Sequence, residues 1–131
     1  MKKLIKIVII LLLIFLAVTV FGILIAGNRM TGQVNAFDRS RINLSHVSDG
    51  VYTGHSETDL VKVEVSVTVS GGVIRNIEIL KHECGKGHPA DVIVNDMITN
   101  NDTEVDAVSG ATMSSEVIKD AVRNALRKGI K

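Results

Sequence analysis

The chain has 131 residues, and its 15 Lys and Arg almost balance its 14 Asp and Glu, for a formal net charge of +1. This length allows one compact domain, and the near-neutral charge provides no one-sided field that would attract a polyanion. With three Phe, one Tyr and no Trp, the chain also lacks the aromatic platforms on which nucleic-acid bases stack, so we expect no nucleic-acid partner.

A long apolar segment lies close to the N-terminus, where residues Ile7 to Ala26 carry no charge. About 20 apolar residues are needed for a helix to cross the hydrocarbon core of a bilayer, so we predict a transmembrane helix over 7–26 after a short cytoplasmic N-terminus, 1–6. The alternative is a cleaved signal peptide, whose apolar stretch is usually only about 7–15 residues long. Both interpretations export the rest of the chain.

The basic residues around this segment predict its orientation. Lys2, Lys3 and Lys6 directly precede it, whereas the basic residues that follow, beginning with Arg29, are more dispersed. Positive charge concentrates on the cytoplasmic side of membrane helices. We therefore expect a single-pass protein of the cell membrane with an extracytoplasmic C-terminal domain.

Residues 27–48 are polar and mixed, with apolar positions spaced loosely enough for one short amphipathic helix or none, and we interpret them as a juxtamembrane linker. The turn signal Asp49-Gly50 and the short strand candidate Val51–Gly54 follow. The folded domain is therefore predicted to occupy 49–131.

A β-hairpin is the strongest local prediction in this domain. Valines at 61, 63, 65, 67 and 69 alternate with polar residues, which is the period of a half-buried strand. Gly71-Gly72 can adopt the positive φ of a tight turn, and Val73 to Lys81 resumes the β-type pattern.

Two helices are predicted after the hairpin. Pro89 suits a first helical turn, and apolar residues then recur at helical spacing until Asn100-Asn101-Asp102. The second helix is predicted over Glu116–Lys128, with Gly129 as its C-terminal cap. Its apolar stripe is Val117, Ile118, Ala121, Val122, Ala125 and Leu126, and the residues expected to face solvent are Glu116, Lys119, Asp120, Arg123 and Arg127. The predicted fold class is α+β, a small antiparallel sheet packed with helices.

The segment from Asp106 to Ser115 (DAVSGATMSS) lies between a short β-like run at 105–108 and this last helix. Its small residues would let a ligand approach the backbone, and its hydroxyls surround a helix N-terminus, which favours an anion such as phosphate. A Ser/Thr cluster at this place more often only caps the helix. Capping needs one hydroxyl, however, and requires neither Asp106 nor the small pair Gly110-Ala111.

Residues 106–112 resemble the motif Asp-x-x-Ser/Thr-Gly-Ala-Thr of the FMN-binding domain family, which includes the small peripheral flavin subunits of sodium-pumping NADH:quinone oxidoreductases and related complexes. The similarity covers roughly 49–129 and includes the opening DGVYTG at 49–54. It implies that a flavin transferase using FAD and Mg²⁺ joins FMN through its phosphate to Thr112, as phosphoester-threonyl-FMN. The implied recognition elements for the transferase are Asp106, Ser109, Gly110 and Ala111.

Residues 82–88 (HECGKGH) carry a second, weaker likeness, because compact members of the family have a His and a Gly-x-Gly here. We expect this loop to border the flavin, where Lys86 could place a positive charge, although a lone loop lysine is more often merely solvated. Met113 could lie over the ring system or simply pack the helix, and Tyr52 is open to the same two interpretations. The predicted cofactor-binding set is His82, Gly85, Gly87, Ser109, Gly110, Ala111, Met113, Ser114 and Ser115.

The same loop admits two other interpretations. His82, Cys84 and His88 have the chemistry of metal ligands, but a structural zinc site needs four ligands and no convincing fourth is near in sequence, so we predict no metal. Residues 85–90 also fit the dinucleotide fingerprint GxGxxA. We reject that interpretation because too few residues surround it to build the doubly wound sheet that the fingerprint requires.

No acid, base and nucleophile occupy matched positions in this sequence, so the predicted role is electron relay between membrane or extracytoplasmic redox partners, more an electron-transfer domain than a self-sufficient oxidoreductase. One alternative is a minimal flavin-dependent reductase acting on a soluble acceptor. The other is a non-flavinylated, membrane-tethered interaction module.

Overall fold

The computed structural model of the protein describes residues 1–85 and 87–131. Its regular elements, in chain order, are helix α1 (Lys2–Asn35), a 3-10 helix (Leu44–His46), strands β1 (Gly50–Glu57), β2 (Lys62–Ser70) and β3 (Val73–Glu83), a second 3-10 helix (His88–Val92), and helices α2 (Ile93–Asn100) and α3 (Thr112–Arg127). This is the predicted α+β class, with one long apolar helix preceding the domain.

The sheet is antiparallel with the order β1-β2-β3, and β2 lies in its centre. The valines of β2 are buried and alternate with more exposed polar residues, because successive side chains of a strand point to opposite faces. Gly71 and Gly72 have φ of 62° and 71° and connect β2 to β3. The predicted hairpin is therefore confirmed.

Helix α3 covers the sheet, and the six residues of its predicted apolar stripe are all buried. The helix lies especially close to β1 at Gly54, where an added Cβ would stand 1.9 Å from the carbonyl oxygen of Ala121. Gly129 serves a similar purpose against the Tyr52 ring, and the helix ends on Lys128 in right-handed conformation. The glycine after α3 therefore does not form the predicted left-handed cap, and it leaves room for the Tyr52 ring.

The prediction that the polar residues of α3 all face solvent is wrong for three of them. Lys119, Asp120 and Arg123 are buried. Arg123 Nη1 donates to Glu104 Oε1 at 2.7 Å, and Asp120 Oδ2 accepts from Ser56 Oγ at 2.7 Å. The segment carrying Glu104 and the end of β1 cover a second side of the helix, and periodicity in the helix alone cannot reveal such a cover.

Two further boundaries differ from the sequence prediction. The β-like run at 105–108 belongs to no strand among the described residues, although Val105 is buried. Helix α3 begins at Thr112, four residues before the predicted start, directly after a turn in which Gly110 has φ of 78°. The DAVSGATMSS segment therefore contains the first turn of the helix instead of only leading to it.

Helix α2 follows the 3-10 turn that contains Pro89, and it ends at Asn101 in left-handed conformation (φ 50°). The Asn101 side chain binds the hairpin, because its Oδ1 accepts from the N–H of Ile74 at 2.8 Å and its Nδ2 donates to the carbonyl of Gly72 at 3.2 Å. Ile93 and Met97 are fully buried. The end of the short helix is thereby fixed to the hairpin turn and the start of β3.

Helix α1 continues well beyond the apolar segment and reaches Asn35 without interruption. Its last turns pack on the domain, where Met30 and Val34 are buried. The Gln33 side chain also exchanges two hydrogen bonds with Asp59, at 2.9 and 3.1 Å. The region interpreted as a linker therefore begins as helix; its predicted boundaries, 27–48, stay a prediction.

Within the described residues, α1 is the one helix long and apolar enough to cross a membrane. The large apolar side chains between Leu4 and Ile25 are exposed, so the domain does not cover them. A bilayer would bury them, and this indicates a membrane anchor.

Candidate functional site

A cavity of about 490 Å³ lies where α1, the loop after β3 and the start of α3 meet. Cavities that hold small molecules and cofactors commonly measure about 300–1,000 Å³. Its lining residues are Met30, Leu60, Val61, Cys84, Gly85, Gly87, Gly110, Ala111, Thr112, Met113 and Ser114. Parts of both segments singled out in the sequence thus line one cavity, namely Cys84, Gly85 and Gly87 from the first and residues 110–114 from the second.

The N-terminus of α3 opens into this cavity and has no side-chain cap. Ala111 holds the N-cap position, and the described hydrogen bonds include none from the backbone N–H groups of Thr112, Met113 or Ser114. Unpaired N–H groups at a helix start, together with the helix dipole, favour an anion. The alternative that the hydroxyls serve only as a helix cap is therefore not supported by the geometry.

The hydroxyl-bearing residues of the segment have different environments. Thr112, the first residue of α3, is exposed, whereas Ser114 and Ser115 are buried. Ser115 Oγ accepts from the N–H of Val108 at 3.0 Å and donates to the carbonyl of Ala111 at 2.9 Å. Ser115 therefore fixes the turn before the helix, whereas Thr112, like Ser109, is exposed where a second protein can reach it.

Gly87 and Gly110 shape the two sides of the cavity. A Cβ on Gly87 would stand 1.9 Å from Ser114 Oγ and 3.3 Å from the Cβ of Cys84, so the loop after β3 fits against α3 only with glycine there. Gly110 adopts φ of 78°, which is costly for other residues. These glycines let two backbone segments approach one another around the cavity.

His82 does not line the cavity. Its side chain is 3% exposed, and its Nδ1 lies 2.5 Å from Asp91 Oδ1. Its Nε2 is buried and has no hydrogen-bond partner among the residues that the structure describes. The predicted contact between His82 and a cofactor stays a prediction.

The other predicted residues divide into two groups. Those on the cavity wall are Gly85, Gly87, Gly110, Ala111, Thr112, Met113 and Ser114. Asp106 and Ser109 do not line the cavity but are exposed on the same segment, where a modifying enzyme can contact them. Their roles in binding and recognition remain predictions.

Sequence reasoning missed the apolar side of the cavity, formed by Met30, Leu60 and Val61. Met30 was assigned to a linker, although its spacing of four residues from Val34 is helical. Leu60 and Val61 form an apolar pair directly after Thr58-Asp59. Nothing in that local pattern, however, relates the pair to a cavity formed by three distant segments.

Tyr52 and Lys86 were each considered as possible neighbours of a flavin, and the structure describes only Tyr52. The Tyr52 hydroxyl donates to the carbonyl of Ser48 at 2.9 Å, and its ring contacts the backbone at Gly129. Tyr52 therefore has a structural role away from the cavity. Lys86, considered as a positive charge near a flavin, lies outside the described residues.

Comparison with known proteins gives one family. Residues 54–127 match the model of a family described as "FMN-binding domain". No curated protein matches the chain. The matched range begins at Gly54, where β1 lies against α3, and ends on the last residue of α3.

Proposed function

The chain belongs to the FMN-binding domain family, and from this premise we propose that it carries FMN on Thr112, joined through the phosphate to the threonine hydroxyl, and relays electrons outside the cytoplasm. The apolar helix α1 makes it a membrane-anchored flavin-binding protein. The covalent bond between FMN and Thr112, the extracytoplasmic orientation of the domain and electron relay go beyond family membership and the apolar helix.

One observation supports the attachment of FMN to Thr112. This threonine is exposed, lies on the cavity wall, and stands at the start of α3, which has no side-chain cap. A phosphate ester at this position would have the backbone N–H groups and the dipole of α3 as its electrostatic partners. Asp106, Ser109, Gly110 and Ala111 precede it as the residues that a flavin transferase using FAD and Mg²⁺ would recognise.

The cavity walls suit a bound isoalloxazine, which exchanges one or two electrons when present. Met30, Leu60 and Val61 supply apolar surface that excludes water, and the glycines of the facing loop leave room beside the backbone. Met113 is half-buried on the same wall. These residues would bind the isoalloxazine ring and orient it, and none of them is a strong acid or base.

The cavity wall, within the described residues, carries no carboxylate and no imidazole. The group on this wall that could act as a general acid is the Cys84 thiol, and it stands without a carboxylate or imidazole beside it on the described wall, so we favour electron relay over catalysis on a soluble substrate. Relay needs a partner within reach. Met30 lies on the cavity and only four residues after Ala26 in the same helix, a rise of about 6 Å, so the cavity is close to the membrane end of α1 and to membrane-bound redox partners.

The test of attachment is the intact mass of the full-length protein, produced with and without a coexpressed flavin transferase. We expect a gain equal to FMN minus water with the transferase, and no gain in Thr112→Ala. The matched control is Thr53→Ala, which removes another exposed threonine on β1 and leaves the gain intact.

An unchanged mass alongside a transferase that modifies a known acceptor would overturn covalent attachment. The visible spectrum of that sample would then report noncovalent flavin, and colourless protein would support the interaction-module alternative. For modified protein, reduction of the flavin in membrane vesicles by membrane-bound donors supports relay. Reduction that proceeds equally well with soluble donors and acceptors alone would support the reductase alternative.

A further inference from the structure

Three side chains with metal-binding chemistry converge at the end of β3. One donor atom from each of His82, Cys84 and His88 lies within 4.8 Å of the other two. His82 belongs to β3, and His88 begins the 3-10 helix that follows, so regular structure supports both sides of the cluster. The cluster shares no residue with the DAVSGATMSS segment, although Cys84 lines the same cavity as Thr112.

The hydrogen bonding of His82 matches that of a histidine metal ligand. Asp91 Oδ1 holds its Nδ1 at 2.5 Å, so the proton of a neutral ring belongs on Nδ1 and the lone pair on Nε2. That Nε2 is buried without a hydrogen-bond partner in the described part of the chain. A carboxylate on one ring nitrogen and a metal on the other is the common arrangement of histidine ligands.

We infer that His82, Cys84 and His88 form a zinc site, with Asp91 orienting His82 and a fourth position open to water. Two imidazoles and a thiolate are borderline and soft ligands, which suit Zn²⁺ and not Mg²⁺ or Ca²⁺. Zinc sites with three protein ligands and one open position are an established type. The prediction of no metal was based on the four ligands of closed sites, and it did not include Asp91.

The distances are compatible with zinc. Ligand bonds of about 2.0–2.3 Å in tetrahedral geometry place donor atoms about 3.5 Å apart, and the donors now lie within 4.8 Å. The His88 side chain is 67% exposed, so it can rotate toward the other two without disturbing the core. Only small side-chain movements are required.

Zinc here would fix one wall of the cavity. Cys84, Gly85 and Gly87 line it, and coordination of Cys84 and His88 would close the loop that contains both glycines. This consequence does not depend on FMN attachment, so the two proposals can be tested separately.

The test uses the full-length chain in detergent, purified without a histidine tag, produced without a flavin transferase, and reduced before titration. Co²⁺ serves as the spectroscopic probe, and Zn²⁺ is then added to displace it. We expect one bound Co²⁺ per chain with a thiolate-to-cobalt band in the near ultraviolet, lost on addition of one equivalent of Zn²⁺. Cys84→Ser abolishes the band.

Single substitutions distinguish the residues that bind zinc from those that do not. His88→Gln, at an exposed position, lowers zinc affinity at least tenfold, and Asp91→Asn lowers it about 10–100-fold. The matched control His55→Gln removes an exposed histidine on β1 and leaves the affinity unchanged. Circular dichroism of each metal-free variant establishes that it is folded. A cobalt spectrum without the thiolate band, or equal zinc affinity in Cys84→Ser, His88→Gln and His55→Gln, overturns the proposal.

Discussion

Arg123 and Gly54 are two single residues that matter for the stability of this domain, and the local sequence pattern around each does not show why. Arg123 is 0% exposed and is held by Glu104 Oε1 at 2.7 Å and, at 3.9 Å, by Asp120 Oδ1. Breaking a buried ion pair by removing one partner is strongly destabilising. Gly54 is the converse case, since its contribution is the absence of a side chain where α3 crosses β1.

Gly54→Ala tests that contact. The added methyl group would stand 1.9 Å from Ala121 O and 2.6 Å from Ala125 N, and backbone atoms of a packed helix cannot rotate away. We expect the free energy of unfolding to fall by about 3 kcal/mol, and Tm of the domain by roughly 12–24 °C. Thermal unfolding followed by circular dichroism in detergent measures this change.

Gly32→Ala is the control for this substitution, because no atom lies within 4 Å of a Cβ at Gly32 in α1. Alanine is there neutral or slightly stabilising, since it favours helix. If Gly54→Ala unfolds at the same temperature as Gly32→Ala, the described contact between β1 and α3 is wrong.

The elements of the domain are joined by polar contacts at their ends as well as by the apolar layer between α3 and the sheet. Asn101 ties α2 to the hairpin, and Ser115 fixes the turn before α3. The segment after α1 is held in the same way, because Arg41 Nη2 donates to Asp102 Oδ2 at 2.6 Å. Such contacts position short elements that bury few side chains of their own.

The Arg41–Asp102 pair predicts a pH dependence. Burial acts to raise the pKa of the Asp102 carboxyl, but hydrogen bonds from the Glu104 N–H and from Arg41, with the charge of Arg41, hold that pKa below its usual value. A carboxyl with a lowered pKa stabilises the fold above its unfolded pKa of about 3.9, and the stabilisation is lost as pH falls through the folded pKa.

We therefore expect Asp102→Asn to lower the free energy of unfolding by about 0.5–1 kcal/mol near pH 7, a modest value because the pair is partly exposed. The difference from the natural sequence should shrink once pH falls below about 4. Urea unfolding at several pH values measures it. Asp96→Asn, at an exposed position of α2, is the control, and a deficit for Asp102→Asn that does not change with pH would contradict the role of its charge.

For the molecule as a whole, the decisive feature is that one helix is both the apolar anchor and a wall of the cavity. The exposed apolar residues of α1 end near Ile25, and Met30 and Val34 are already buried in the domain. The hydrogen bonds between Gln33 and Asp59 fix the helix to the turn before β2. A cofactor in the cavity would therefore stay near the membrane surface and would not move on a long tether.

Orientation across the membrane is tested by cysteine labelling in whole cells, in a Cys84→Ser background. Val51→Cys places a thiol on the exposed side of β1, and we expect a membrane-impermeant maleimide to label it in intact cells. Lys3→Cys should be labelled only after lysis, because basic residues before the span favour the cytoplasmic side. Labelling in the reverse pattern would show that the domain is cytoplasmic.

The amino-acid sequence alone was sufficient for the apolar anchor, the hairpin, the buried stripe of α3 and the family, because each is a local pattern of period, length or motif. It did not reveal the burial of Arg123, the apolar wall formed by Met30 and Leu60, or the position of Asp91 on His82. These features join residues far apart along the chain or on different elements, and their contacts exist only once α1, β3 and α3 are packed together. Local periodicity reports which face of an element is apolar, whereas packing determines what covers the other faces.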